Sequence, residues 1–267
     1  MVIRKRFGQH FLEPAWVDKV IRAIGPQCDD VFYEIGPGRG ALTTALVGRA
    51  KEVVAFEIDR DLAAALRHTA PPTLTVVEGD FLESQWIQAH RPTRPVRVAG
   101  NLPYNVASPI LFALIDLFRR GIPLVDATLM VQREVAARLI ARPGTREYGV
   151  LTILVGHAAE VELVLKLPPG AFRPSPKVHS ALVRVRFHAP EPAPNDPGGF
   201  AAMVQALFTR RRKTLANALA ACAVKDRRSS WAILAAAGID GRRRPETLDI
   251  AELVRLADAV TALPDPR

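Results

Sequence analysis

Cysteine is almost missing. Cys28 and Cys222 are the only two in 267 residues and lie far apart, which excludes a disulfide framework and a cysteine-based zinc cluster. Six histidines are present, without ligand spacing, so no metal site is expected. This composition fits a reducing cytoplasm. Long apolar runs are also missing. The most apolar later stretch, residues 149–167, is interrupted by His157, Glu160 and Glu162, which suits core elements and not a membrane span. The N-terminal MVIRKRFGQHFLEP is basic but lacks the continuous apolar segment of a signal peptide. No internal repeat or lipidation signal is found. Acidic residues are the scarcer sign of charge, 27 against 36 Lys and Arg, for a formal +9. Such an excess favours an acidic partner, nucleic acid before an anionic membrane. No feature demands more than a monomer.

From residue 31 to 132 short apolar runs alternate with helix-like segments. The runs 31–35, 53–58, 74–78, 96–100 and 127–131 are rich in Val, Leu and Ile and apolar on both faces, as in a parallel sheet covered by helices. Residues 41–49, 62–68, 109–119 and 133–141 carry the helical pattern between them. Repeated βα units predict a doubly wound α/β sheet. Two later runs, 162–167 and 180–187, close it as a hairpin-like pair and bring the expected strands to seven. Residues 188–199, HAPEPAPNDPGG, hold four prolines and two glycines and read as a linker. After it, 200–223, 229–237 and 247–263 read as helices. The expected organisation is a sheet domain over 1–188, a linker over 189–199 and a basic helical domain over 200–267. That last part holds 12 Lys/Arg against 7 Asp/Glu, +5 of the +9. Its clusters are Arg210-Arg211-Arg212-Lys213, Arg227-Arg228 and Arg242-Arg243-Arg244. One such run is ordinarily a solvated helix face; three in a small domain point to a phosphate-binding surface.

Ligands of such sheets bind beyond the carboxyl ends of the strands. The first strand runs into Glu34-Ile35-Gly36-Pro37-Gly38-Arg39-Gly40. Its glycines let the backbone turn tightly and approach a ligand, and the spacing is GxGxG, not the GxGxxG of dinucleotide enzymes. The second strand ends in Glu57-Ile58-Asp59, where a carboxylate about 20 residues past the glycine loop can accept both ribose hydroxyls of an adenosine ligand. The third ends in Glu78-Gly79-Asp80-Phe81; Asp80 can accept from an adenine amino group, with Phe81 beside the base. Taken singly, each carboxylate can as well cap the next helix. Three such strand ends in succession point to an adenosine site. S-adenosylmethionine is favoured over NAD by the GxGxG spacing and by the lack of any hydride-acceptor module.

The fourth strand delivers Asn101-Leu102-Pro103-Tyr104 to that site. Alone, the tetrapeptide reads as a turn. Beside a sulfonium methyl group it reads as chemistry. The exocyclic amine of adenine is a poor nucleophile because its lone pair is delocalised into the ring. Acceptors on its hydrogens, from the Asn101 side chain and the Leu102 carbonyl, would draw the nitrogen towards a pyramidal geometry. Pro103 fixes that carbonyl, and Tyr104 offers a face on which the base stacks. The methyl group is already reactive, so positioning for in-line transfer suffices.

With these motifs in view, the chain resembles the KsgA-type ribosomal RNA adenine dimethyltransferases. The resemblance is carried by RKRFGQHFL (4–12), EIGPGRG (34–40), FEID (56–59), EGDFL (78–82), GNLPYN (100–105), FRPSPKVHSALV (172–183) and FTRRRKTLANAL (208–219). It implies a seven-stranded, Rossmann-like class I S-adenosylmethionine-dependent methyltransferase with a small helical C-terminal domain. The implied reaction is N6,N6-dimethylation of two adjacent adenosines in the 3′-terminal hairpin of small-subunit (16S) rRNA, with a role in small-subunit biogenesis. The resemblance puts the cofactor against His10, Leu12, Gly36, Glu57, Asp80 and Asn101, with Gly38 in the same glycine turn. It sandwiches the target adenine between Tyr104 and Phe172, and leaves RNA binding to Arg210, Arg211, Arg212 and Lys213. His10 stands where many members have asparagine.

Three other readings stay open at this point. The sister class that dimethylates large-subunit rRNA shares the chemistry, although FTRRRKTLANAL and the FGQ start favour the small-subunit enzymes. A DNA or protein-glutamine amino methyltransferase would more typically carry a second proline in place of Leu102. A non-catalytic assembly factor would have no need of the intact glycine loop, acidic strand ends and NLPY.

Overall fold

The computed structural model describes residues 10–83, 90–221 and 227–262, the side chains of 227–229 excepted. Residues 4–9 of the first motif, Cys222 and the side chains of Arg227 and Arg228 lie outside that set. The chain forms two compact units, Met1–Ala136 with Glu160–Phe187, and Ala137–Ala159 with His188–Arg267.

The strands are β1 (Phe11–Leu12), β2 (Val31–Ile35), β3 (Glu52–Glu57), β4 (Leu74–Glu78), β5 (Val96–Asn101), β6 (Leu124–Gln132), β7 (Ala159–Leu167), β8 (Phe172–Arg173) and β9 (Ser180–Phe187). Seven form one sheet in the order β4-β3-β2-β5-β6-β9-β7. From β4 to β6 neighbouring strands run parallel, and β9 runs antiparallel to β6. Every residue of β2, VFYEI, is buried, because helices cover both faces of a parallel sheet. The expected strands at 127–131 and 162–167 each begin three residues earlier. In β7 the early acids belong to the strand: it is the sheet edge, and its exposed Glu160 and Glu162 face Arg186 of β9 at 4.0 and 2.9 Å. Charge on an edge discourages further pairing.

Helices of this unit start and stop on local signals. Helix α1 (Pro14–Ile24) has proline in its first turn and ends on Gly25 at φ 64°, whose amide bonds the Ile21 carbonyl. Helix α2 (Ala41–Val47) follows the glycine loop. Helix α3 (Arg60–His68) is capped by Asp59, whose side chain accepts from the amides of Asp61 and Leu62. Helix α4 (Ala107–Arg119) follows the tetrapeptide, and α5 (Arg133–Leu139) follows β6.

The second unit contains α6 (Val150–Gly156), α7 (Pro197–Phe208), α8 (Leu215–Ala220), α9 (Arg227–Ala236) and α10 (Ile250–Ala262). Its core joins Tyr148, Ile153 and Leu154 to Phe200, Val204, Leu207 and Leu253. This division differs from the one read in the sequence. Residues 137–159 pack into the helical core, since an apolar run declares that it will be buried but not against what. The expected linker is also shorter: Asp196 caps α7 through the Gly198 amide, and Pro197 opens that helix. Among the described residues no helix is long and apolar enough to cross a membrane.

Candidate active site

Strands β2 and β5 are neighbours at the middle of the sheet, where the strand order reverses. Chains leaving their carboxyl ends part in opposite directions and open a crevice. A cavity of about 320 Å³ lies there, within the range of small-molecule sites. The approach of the two strands is close: a Cβ on Gly100 would stand 2.6 Å from the Ile35 carbonyl oxygen. Only glycine fits before the tetrapeptide.

The glycine loop forms one wall. Gly38 has φ +59°, and a Cβ there would meet the Phe11 ring at 3.1 Å, so a side chain is opposed by both backbone and space. The Arg39 guanidinium lies 4.3 Å from the centroid of that ring. The Gly38 amide donates to Glu57 Oε2 at 2.9 Å, and the Asp59 amide donates to Oε1 at 2.9 Å. Glu57 is 3% exposed. Burial raises its carboxyl above the usual range, while the two amides act in the opposite sense. Each oxygen keeps a further lone pair for a ligand hydroxyl.

Glu34 lies in the same lining at 1% exposure. Its Oε2 has no hydrogen-bond partner among the described residues. Burial first, then the nearby charge of Glu57, pushes this carboxyl up to about 8, so it is protonated at neutral pH. Glu34 belongs to the EIGPGRG motif, and nothing in the local spacing gives it a role.

The opposite wall comes from β5 and the segment after it. Asn101 Nδ2 donates to the His10 carbonyl at 2.7 Å, which orients the amide and leaves its oxygen as the acceptor. Leu102 is buried, with its amide on the Met130 carbonyl at 3.2 Å. The Pro103 carbonyl accepts from Val106 at 3.1 Å as α4 begins. Tyr104 shares a hydrogen bond of 2.7 Å with Ser180 Oγ. Burial raises its phenol, against the effect of Ser180. The His10 ring stacks on Tyr104 at 5.4 Å and 26°, and its Nδ1 lies 2.7 Å from the Pro174 carbonyl.

His10, Leu12, Gly36, Gly38, Glu57, Asn101, Leu102, Pro103 and Tyr104 thus line one cavity. Asp80 and Phe172 do not. Asp80 lies just past β4 and its Oδ1 accepts from the Leu82 amide at 2.9 Å. Phe81, expected beside a base, is buried with its ring edge-on to Phe56 at 5.3 Å. Phe172 is the clearest correction. It is 1% exposed, pairs with Leu12 across β1 and β8, and belongs to the core cluster that contains Leu182. Its ring has no face to offer a base. The lining also includes polar and aromatic residues to which the sequence assigns no role, beyond Glu34. Phe11, Glu13, Arg39 and Arg173 line the cavity, with Glu13 and Arg173 paired at 2.9 Å. Local spacing holds no signal for a pair 160 residues apart; the two-strand ribbon creates it.

In the second unit Arg210, Arg212 and Lys213 are exposed. Arg211 is not presented with them: it is partly buried and paired with Glu246 at 2.8 Å.

Residues 2–257 match the family model described as ribosomal RNA adenine dimethylase. The ribosomal RNA small subunit methyltransferase A of Nitrosococcus oceani is 44% identical over 257 residues, 95% of this chain and 94% of that protein. Among solved structures, a dimethyladenosine transferase from Plasmodium falciparum aligns with TM-score 0.78 and 27% identity, covering 92% of this chain and 96% of the other. The 23S rRNA methyltransferase ErmE aligns with TM-score 0.64 and 28% identity, covering 94% and 99%.

Proposed function

Since this chain belongs to the ribosomal RNA adenine dimethylase family, and is an S-adenosylmethionine-dependent rRNA adenine dimethyltransferase, we propose that it acts on small-subunit (16S) rRNA through the cavity between β2 and β5. The small-subunit reading is supported by 40–44% identity, over nearly the full chain, to proteins named ribosomal RNA small subunit methyltransferase A. The substrate is two adjacent adenosines of the 3′-terminal hairpin, met by a single copy of the chain in the cytoplasm on rRNA or on an assembling subunit.

The residues of the cavity suit S-adenosylmethionine: a glycine cradle that a Cβ would fill, a buried carboxylate with lone pairs to spare, and a second buried carboxyl whose Oε2 has no partner among the described residues. That cofactor supplies an electrophilic methyl group. The chain does the rest by binding and placement. Glu57 would accept the ribose hydroxyls, and Gly36 and Gly38 would let the backbone come close; Asp80, outside the lining at the tip of β4, would accept from the cofactor's adenine through its second carboxylate oxygen. His10 and Leu12 close the cavity. The Asn101 oxygen and the Leu102 carbonyl accept from the target amine and bring its lone pair into line. The target base stacks on Tyr104 in exchange for the His10 ring, one flat ring for another. Phosphates are held in the second unit by Arg210, Arg212 and Lys213.

The observation that carries this reading is Asn101 beside the glycine loop, delivered by two parallel strands whose approach only Gly100 permits. Unmethylated small subunits incubated with labelled S-adenosylmethionine should yield N6,N6-dimethyladenosine in the terminal hairpin, mapped by mass spectrometry. Label confined to large-subunit RNA, or to protein, would refute the assignment.

A further inference from the structure

The second unit draws three basic segments together that are far apart in sequence, and the backbone does it. Leu215 N donates to the Arg243 carbonyl at 2.7 Å and Ala216 N to the Gly241 carbonyl at 3.1 Å, which sets residues 215 and 216, just after the basic run, beside 241–243. Gly144 N donates to the Glu246 carbonyl at 2.7 Å and the Tyr148 hydroxyl to the Leu248 carbonyl at 2.8 Å. The loop 142–148 is thereby held against residues 246–248, which directly continue that segment. Arg211 crosses all three. Its Nε donates to Glu246 Oε2 at 2.8 Å, and its two Nη atoms donate to the Arg146 carbonyl at 3.0 and 3.1 Å. Arg243 is also turned inward, onto Glu252 at 2.9 Å and the Thr247 carbonyl at 2.7 Å.

The remaining cations face water. Arg210, Arg212 and Lys213 are exposed on the first segment, Arg242 and Arg244 on the second, Arg142 and Arg146 on the third. Among the described residues none of these seven is in an ion pair. A lone basic run is ordinarily a solvated face. Seven exposed cations stand on three segments joined by backbone hydrogen bonds, against the exposed Glu147 and an Asp240 carboxylate that accepts from the Arg242 amide at 2.9 Å; exposed charges brought within a Debye length, about 8–10 Å at ordinary salt, act as one field.

We propose that these three segments form one composite surface for the phosphate backbone of rRNA, and that the Arg211–Glu246 pair is its fastener and not part of its charge. The proposal rests on the RNA-modifying reading above, but not on the chemistry of the cavity. It adds the loop 142–146 to the surface and removes Arg211 and Arg243 from it.

The test uses the full chain and a protein-free small-subunit rRNA transcript, with affinity measured across a salt series. R142Q/R146Q should weaken binding about tenfold near physiological salt and flatten the salt slope, because fewer counterions are released. R210Q/R212Q/K213Q should do more. Glu246→Gln is the sharper probe. It removes a negative charge, so attraction by net charge alone would tighten binding; loss of the fastener should instead weaken it severalfold, and the exchange R211E/E246R should restore most of the loss. Thermal unfolding and S-adenosylmethionine affinity, read in parallel, report that each variant is folded. Unchanged affinity and slope in R142Q/R146Q would remove the loop from the surface. An E246Q variant that binds as tightly as the wild type, or more so, would overturn the fastener. Should every variant bind normally while small subunits are still methylated, the composite surface fails alone. If the wild type neither binds nor methylates small-subunit rRNA, the underlying functional reading has failed instead.

Discussion

Glu34 and Glu57 line one cavity from neighbouring strands, and burial acts on both in the same direction. Both also feel hydrogen bonding in the lowering sense, Glu57 from two amides and Glu34 from Thr43, but Glu34 is the more deeply buried and its Oε2 has no partner among the described residues. In the unfolded chain the Glu34 carboxyl titrates near 4.5, and in the fold near 8. Below the lower value it is neutral in both states and contributes no pH dependence. Between them the unfolded chain gives up a proton that the fold retains, so stability falls as pH rises, by up to about 1.4 kcal/mol per pH unit. Glu34→Gln should match the wild-type Tm at pH 4 and exceed it by a margin that grows towards pH 8. A constant margin would mean that Glu34 is ionised in the fold. The tetrapeptide separates placement from binding. Asn101→Ala removes the acceptor that orients the amine, so turnover should collapse while RNA affinity holds. Tyr104→Phe keeps the ring and loses only the Ser180 hydrogen bond. It should cost about 0.5–1.5 kcal/mol of stability and retain most activity. Equal inactivity of the two variants in a turnover assay would give the phenol a chemical role.

At the scale of elements, the two ends of the parallel strands have different tasks. The carboxyl ends hold the cavity, and the amino ends are tied by Arg97. Its guanidinium meets Asp126 at 3.0 Å through two nitrogens and Asp30 at 2.7 Å. It also caps the end of α1 through the carbonyls of Ile24 and Gly25, at 2.8 and 3.1 Å. A cation at a helix carboxyl end is favourable. Replacing it leaves the carboxylates of Asp30 and Asp126 poorly compensated, with Asp126 itself buried. Arg97→Met should therefore cost about 3–5 kcal/mol in denaturant unfolding. S-adenosylmethionine affinity of the folded protein should stay the same, since the cavity lies at the other end; a loss of affinity would mean that the sheet transmits the change.

For the molecule as a whole, each compact unit has an apolar core of its own, and cofactor and phosphate backbone are assigned to different ones. Leu207 is fully buried in the second core. Leu207→Ala should cost that unit about 2–5 kcal/mol. Binding of rRNA should then fail at temperatures where calorimetry still shows S-adenosylmethionine bound. Joint loss of both would mean that the units melt as one.

What the sequence determined by itself is whatever rests on neighbours along the chain. Runs such as VFYEI become buried strands because both faces of a parallel strand are covered, and that pattern is local. The turn around Gly36 and Gly38, and the Asn-Leu-Pro-Tyr exit from β5, are also local backbone requirements, so the walls that these two segments supply were legible before the fold. Tertiary structure decided what depends on contacts across long separations. Phe172 is core and not a stacking face because β8 pairs with β1, and Glu13 meets Arg173 for the same reason. Residues 137–159 joined the helical core although their apolar pattern suited either. Arg211 reads in sequence as one of four equal cations, and becomes a fastener only because Glu246 and the Arg146 carbonyl come within about 3 Å of it. Charge can be counted along a chain, but whether a charge faces solvent or a partner is settled by what the fold sets beside it.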